Sequence, residues 1–298
     1  MNPREEGFLL LTSHLGAPDR KVLTQAQLRQ LTQRMAGVHA PDTDRDLDLQ
    51  DLVSLGYGPD MAVRILGLLN ERDILLHYLH NGAQRDCFPL TRISETYPQI
   101  LRSRLGAGGP GCLWIKGDHS ILSRHGIALV GSRDLEEPNR DFAKQVGIQA
   151  AEQGLVLISG NARGADKTAQ EACLSHGGCV ISIVADRLES QPLRERVLYI
   201  SEDGFDLPFS PQRALSRNRV IHAWGVLVFV AQARLNAGGT WDGTVQNLRS
   251  GWSGVACFRD GSEAAKELEQ MGAFGVYTDD LRDMASLMNS QMNLFHRL

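Results

Sequence analysis

Four short stretches of the 298-residue chain carry residue types that hold anions. The first is Gly131-Ser132-Arg133, a small residue, a hydroxyl and a guanidinium in succession. The second runs Ser159-Gly160-Asn161-Ala162-Arg163-Gly164-Ala165-Asp166. Its glycines let backbone approach a ligand closely, Arg163 lies between them, and Asp166 is expected to cap the helix that follows. The third is Arg217-Asn218-Arg219. On a helix, arginines at i and i+2 diverge by about 200°, so one can face a ligand while the other pairs with an acid of the fold. The fourth is Gly238-Gly239-Thr240-Trp241-Asp242-Gly243-Thr244, a glycine- and threonine-rich cradle ahead of a helix. One such stretch alone is an ordinary tight turn. Four of them, all poor in acid, point to a phosphate-bearing ligand.

The same stretches argue against catalysis. Breaking a glycosidic or phosphodiester bond needs an acid, a base or a metal beside the phosphate. The candidate acids are Asp134, Asp166 and Asp242, and a turn or cap hydrogen bond accounts for Asp242. The run Gly131-Ser132-Arg133-Asp134-Leu135-Glu136 lacks the second and third glycines of a dinucleotide fingerprint, so no NAD or FAD is expected. The nine histidines show no paired metal-ligand spacing, and no G-x-S-x-G elbow is present. The reading is a binding protein without cofactor or metal.

Charge and composition agree. The chain has 31 basic and 35 acidic residues, net −4, which excludes coating of nucleic acid by bulk charge but not a local basic site. Between Pro208 and Arg249 stand five arginines and a single acid, Asp242. The five cysteines are odd in number and none are spaced C-x-x-C, against a disulfide framework or a zinc ribbon. With an acidic N-terminus and no apolar run near the roughly 20 residues needed to span a bilayer, a cytoplasmic protein without membrane contact is expected.

The elements that position these stretches follow from the hydropathy pattern. Runs apolar on every residue but Ser182 are expected as strands at 127–130, 155–158, 180–184, 226–230 and 255–258, with a short one at 275–277. They alternate with helices expected over 139–153, 166–176, 212–224, 244–249 and 264–271. Strands without polar alternation, separated by helices, mean a parallel sheet covered on both faces. The fold class is therefore α/β, a Rossmann-like doubly wound sheet whose ligands bind at the carboxyl ends of the strands. Residues 1–85 are patterned differently, with helical periodicity over 23–35, 46–55 and 59–79 and an acidic loop over 40–46. We divide the chain into a helical domain at 1–85, a Rossmann-like domain at 86–285 and a C-terminal tail at 286–298.

The motifs also resemble a known family. Tyr97-Pro98, Leu113-Trp114-Ile115-Lys116-Gly117-Asp118, Ile127 to Arg133, Ser159-Gly160-x-Ala162-Arg163-Gly164-x-Asp166 and Arg217-Asn218-Arg219 run in the order and spacing of the DNA-processing protein A family, DprA or Smf. The resemblance implies a SAM-like helical domain before the sheet. It implies single-stranded DNA as the ligand, as a partner in natural transformation, with homodimerisation and delivery to the RecA recombinase. Carried over by motif, Ser132, Arg133, Ser159, Gly160, Arg163, Arg217 and Arg219 form or support the DNA-binding pocket. Gly131, Gly164, Asn218, Gly238, Gly239 and Thr240 join them from the reading of the loops. The sequence departs from the family where G-x-G-x-D-x-x-Y-P would follow the third strand: Ala185 to Pro192 supplies no aromatic residue there.

The alternative is a nucleotide sensor or hydrolase. Gly238-Gly239-Thr240-x-x-Gly243-Thr244 is similar to the P-G-G-x-G-T-x-x-E loop of phosphoribohydrolases. The glutamate of that loop is missing here, where Val245-Gln246-Asn247-Leu248 follows.

Overall fold

The computed structural model describes residues 1–36 and 46–295. Most of the acidic loop expected over 40–46 lies outside the described residues. Nine strands form one sheet in the order β1-β2-β6-β5-β4-β3-β7-β8-β9. Seven are parallel: β3 (Gly126–Val130), β4 (Val156–Ser159), β5 (Cys179–Val184), β6 (Val197–Glu202), β7 (Leu227–Val230), β8 (Gly254–Phe258) and β9 (Phe274–Val276). β2 (Cys112–Gly117) adds antiparallel to β6, and β1 (Phe88–Thr91) adds antiparallel to β2 as one edge of the sheet. The expected doubly wound Rossmann-like sheet is thus present, and β1, β2 and β6 extend it.

Helices on both faces explain why β3 to β8 are buried along their length and mostly apolar, with Ser159, Ser182, Ser201 and Glu202 as the polar exceptions. Ile127 and Leu129 of β3 point to one face, among Phe142, Ala143 and Val146 of α7 (Glu137–Glu152) and Ala169 and Cys173 of α8 (Ala165–Ser175). Ala128 and Val130 point to the other, with Val220, Ile221 and Trp224 of α9 (Pro211–Trp224), Val245 of α10 (Gly238–Ser250) and Leu268 of α11 (Glu263–Gln270). Burying one such aliphatic side chain contributes about 1.5–3 kcal/mol.

Among the described residues five helices precede the sheet, α1 (Pro3–Thr12), α2 (Gln25–Ala36), α3 (Leu49–Ser54), α4 (Pro59–Leu69) and α5 (Arg72–Ala83), and α6 (Gln99–Leu105) lies between β1 and β2. The apolar pattern expected over 59–79 is broken at Asn70, which ends α4, so one periodic stretch becomes two helices. Leu23, Leu31, Leu52, Tyr57, Ile65 and Leu68 form a core of their own. Leu9 and Leu10 of α1, with Leu75 and Tyr78 of α5, instead join the core on the α7 and α8 face. At that junction Tyr78, Trp114 and Phe205 meet with ring centroids 4.7–5.3 Å apart. After α11 and β9 the chain closes with α12 (Met284–Phe295). No helix of the described residues is long and apolar enough to cross a membrane.

The chain order sets the position of the ligand edge. β3 is central; the chain moves outward through β4, β5 and β6, and α9 carries it back to β7 on the other side of β3. The chain therefore leaves the carboxyl ends of β3 and β7 toward opposite sides of the sheet, and that switch point is where such sheets bind ligands.

A buried histidine lies beneath this edge. His222 of α9 has no accessible surface, and neither ring nitrogen has a hydrogen-bond partner among the described residues. Burial lowers its pKa to about 3. Below about pH 6.5 the unfolded chain takes up a proton that the folded chain refuses. The contribution is whole above that pH and falls by about 1.4 kcal/mol per unit as pH drops toward the folded value. Urea unfolding at pH 6.5 and pH 5 should show the wild type losing about 2 kcal/mol relative to His222→Leu. Parallel losses in the two proteins would mean that His222 does not carry the acid sensitivity.

Candidate nucleic-acid interface at the carboxyl edge

The loop after β3 is fitted closely against its neighbours. A Cβ on Gly131 would lie 2.5 Å from Ala165 Cβ and 3.2 Å from Ala231 Cβ, so the absence of a side chain lets the loop sit between α8 and the end of β7. The Ser132 N–H donates to Gln232 O (3.0 Å), and Ser132 O accepts from Ala165 N–H (3.1 Å). The Ser132 hydroxyl accepts from Asp134 N–H. Arg133 is exposed and makes no side-chain hydrogen bond or ion pair among the described residues.

The loop after β4 is built around Asp166. Its carboxylate accepts from Gly160 N–H and Ala162 N–H, each at 3.1 Å. Gly164, not Asp166, occupies the cap position of α8, at φ +87°, a region that L side chains rarely adopt. A Cβ on Gly164 would also lie 2.4 Å from the carbonyl oxygens of Ser132 and Arg133. Asp166 is therefore a clamp on the loop rather than a helix cap, which corrects the expectation. Burial raises its pKa; Arg217 and the two loop N–H groups oppose the rise.

α9 passes beneath the edge and reaches several loops in turn. Arg213 donates to Ala185 O (2.9 Å), Leu207 O (2.8 Å) and Ser201 Oγ (2.6 Å). Arg217 donates to Gly160 O, and burial lowers its pKa, opposed by Asp166. Asn218 donates to Gly239 O at 3.0 Å. Arg219 turns away, as the i, i+2 spacing requires, and lies 3.9 Å from Glu202. Burial and then the neighbouring Asp203 push Glu202 up to about 7, against the pull of Arg219 and a hydrogen bond from Ser216.

The fourth stretch differs from expectation. Gly238, Gly239 and Thr240 form the first turn of α10, which begins six residues before the expected helix. Helix interiors disfavour glycine, but the first turn lacks intrahelical acceptors for its N–H groups and tolerates it. The positive end of α10 thus stands at the carboxyl edge beside β7.

The structure brings Gly131, Ser132, Arg133, Gly160, Arg163, Gly164, Gly238, Gly239 and Thr240 to one edge of the sheet, with Arg217 and Asn218 supporting the loops from below. Ser159 is buried, its hydroxyl taken by Gln170 at 2.6 Å, and Arg219 belongs with Glu202. Two contributors escaped the sequence reading. Gln232 receives Glu136 N–H (3.0 Å) and so ties the β7 loop to the start of α7. Arg234, in the turn before α10, lies 3.9 Å from Asp134, which also pairs with Arg163 at 2.7 Å. Arg163 and Arg234 are 75 % and 71 % exposed, so these pairs contribute little to stability and leave both guanidiniums open to another anion.

Fold and edge together define a Rossmann-like protein with glycine- and arginine-bearing loops at the switch point of its sheet. The model of the DNA recombination-mediator protein A family matches residues 89–248, and the chain belongs to that family. It is 28 % identical over 211 residues to DNA processing protein DprA of Streptococcus pneumoniae, covering 67 % of this chain and 72 % of that protein. It is 28 % identical over 156 residues to protein Smf of Escherichia coli, covering 49 % of this chain and 41 % of that one. The crystal structure of the Streptococcus pneumoniae DprA superposes with a TM-score of 0.63 at 24 % identity, over 85 % of this chain and 95 % of that chain. DNA processing protein A from Helicobacter pylori, studied for its single-stranded DNA binding mode, gives a TM-score of 0.57 at 21 % identity, over 69 % of this chain and 97 % of that one.

Asp134, 2.7 Å from Arg163 and 3.9 Å from Arg234, would compete with any phosphate placed between them. Asp134→Asn should leave thermal unfolding unchanged and tighten binding of a phosphate-bearing ligand severalfold by freeing Arg163 and Arg234. Titration of both proteins with the same oligonucleotide checks this, and weaker binding by the variant would show that Asp134 positions the arginines.

Proposed function

We propose that the protein binds single-stranded DNA along the carboxyl edge of the sheet. The observation that carries this reading is the placing of exposed Arg133, Arg163 and Arg234 on the loops after β3, β4 and β7, at one edge of the sheet. A positive groove following successive phosphates is how single strands are held without sequence preference. Family membership and the Helicobacter pylori relative, described as a single-stranded DNA binder, support it. Homodimerisation, delivery to a RecA-type recombinase during transformation and a cytoplasmic setting complete the proposal on family grounds. We read the chain as a binder rather than a catalyst.

Fluorescence anisotropy with labelled single strand, duplex and mononucleotides tests the reading. Single strand should bind most tightly, with a log–log salt slope of about −0.7 per phosphate neutralised. Arg133→Ala should weaken it by about 1.5–3 kcal/mol, the contribution of a charged hydrogen bond, with unchanged thermal unfolding. A flat salt response or equal affinity for duplex overturns the groove. Preference for a mononucleotide, or release of base from it, turns the reading toward the nucleotide sensor or hydrolase whose loop would be Gly238 to Thr244.

A further inference from the structure

The arginine loops account for phosphates but not for bases. The loop after β5, Ala185 to Pro192, supplies no aromatic ring. An exposed ring stands one strand further out. Phe209 lies in the connection from β6 to α9 and is 54 % exposed. The other exposed aromatic rings among the described residues are elsewhere or occupied. Phe88 lies on edge strand β1 against His119, and Tyr277 has the Arg259 guanidinium over its ring.

The connection that carries Phe209 is held on both sides. Phe205 is buried in the Tyr78 and Trp114 cluster, and Asp206 accepts from Tyr78 OH at 2.6 Å. Arg213 binds Leu207 O and Pro208 O, and through Ala185 O it ties this connection to the end of β5. Ser210, next in sequence, caps α9 by accepting from Arg213 N–H. Pro208 and Pro211 restrict the backbone on either side of the ring. An exposed apolar ring on a braced backbone loses little conformational freedom on binding, which suits it to stacking. Leu215, one turn into α9 and 53 % exposed, extends the apolar surface.

The spacing fits a single strand. β3, β4, β5 and β6 are consecutive neighbours, so at about 4.8 Å per strand the β3 and β6 ends are about 14 Å apart. A strand that rises roughly 3.4 Å per stacked nucleotide along its axis covers that distance in about four residues.

We propose that Phe209 is a base-stacking platform for the single strand whose phosphates are held by Arg133 and Arg163. This inference rests on the single-stranded DNA reading and gives it a direction, from the switch point across β4 and β5 toward β6. The occupant is an unpaired base of any identity, because every base presents a π-face to an aromatic ring.

The test uses the full chain, a dT oligonucleotide and the same oligonucleotide made abasic. Phe209→Ala should weaken dT binding about tenfold, within the range of one stacked base, and leave abasic binding and the salt slope unchanged. Phe209→Trp should keep dT affinity, and its added fluorescence should be quenched by dT but not by the abasic strand. Wild-type protein that fails to bind single strands removes both this inference and the reading beneath it. Wild-type binding with Phe209→Ala unaffected overturns the platform alone. A Phe209→Ala protein with unchanged DNA affinity but altered sedimentation assigns the ring to a contact between copies of the chain, which also overturns it.

Discussion

The buried carboxylate of Asp166 holds the β4 loop in shape. Two backbone N–H groups and the nearby Arg217 guanidinium oppose the cost of withdrawing it from water. Remove that charge and Gly160 N–H and Ala162 N–H lose their acceptor, with a penalty of about 1–3 kcal/mol for each orphaned buried donor. The Arg217 guanidinium would also lose its nearest opposing charge. The loop would no longer hold Arg163 at the surface or meet Ser132 across the gap to β3. The exposed Arg163 is thus set by a buried arrangement beneath it.

The division of labour along α9 follows from helix geometry. Arg213, Arg217 and Asn218 reach the loops after β5, β4 and β7 because the helix passes diagonally beneath them. Arg219 points away to Glu202. Three positions on one helix thereby fix the relative heights of loops that come from separate parts of the chain.

Much of the parallel sheet was legible in the sequence. Its central strands are apolar on nearly every residue without polar alternation, as a sheet covered on both faces requires. The strands that escaped were β1, β2 and β6. Phe88-Pro89-Leu90-Thr91 is short and contains proline, Cys112 to Gly117 carries Lys116, and Val197 to Glu202 ends in Ser-Glu. α1 was hidden by the acids of its first turn, and α10 by glycines that read as loop. Within the site, the loop glycines and arginines announced themselves by type. Arg234 did not, since its relation to Asp134 is made by folding across 100 positions. The role of Asp166 was also illegible, because it depends on backbone N–H groups whose direction only the folded loop sets.

The margins of the sheet carry a consequence for association. β1 has four residues, among them Pro89, which has no N–H to donate, and β9 has only three. Short, proline-bearing borders are poor templates for another chain's backbone. Growth of the sheet from molecule to molecule by strand addition is therefore disfavoured, and side-chain surfaces of helices or loops are better suited to any contact between copies.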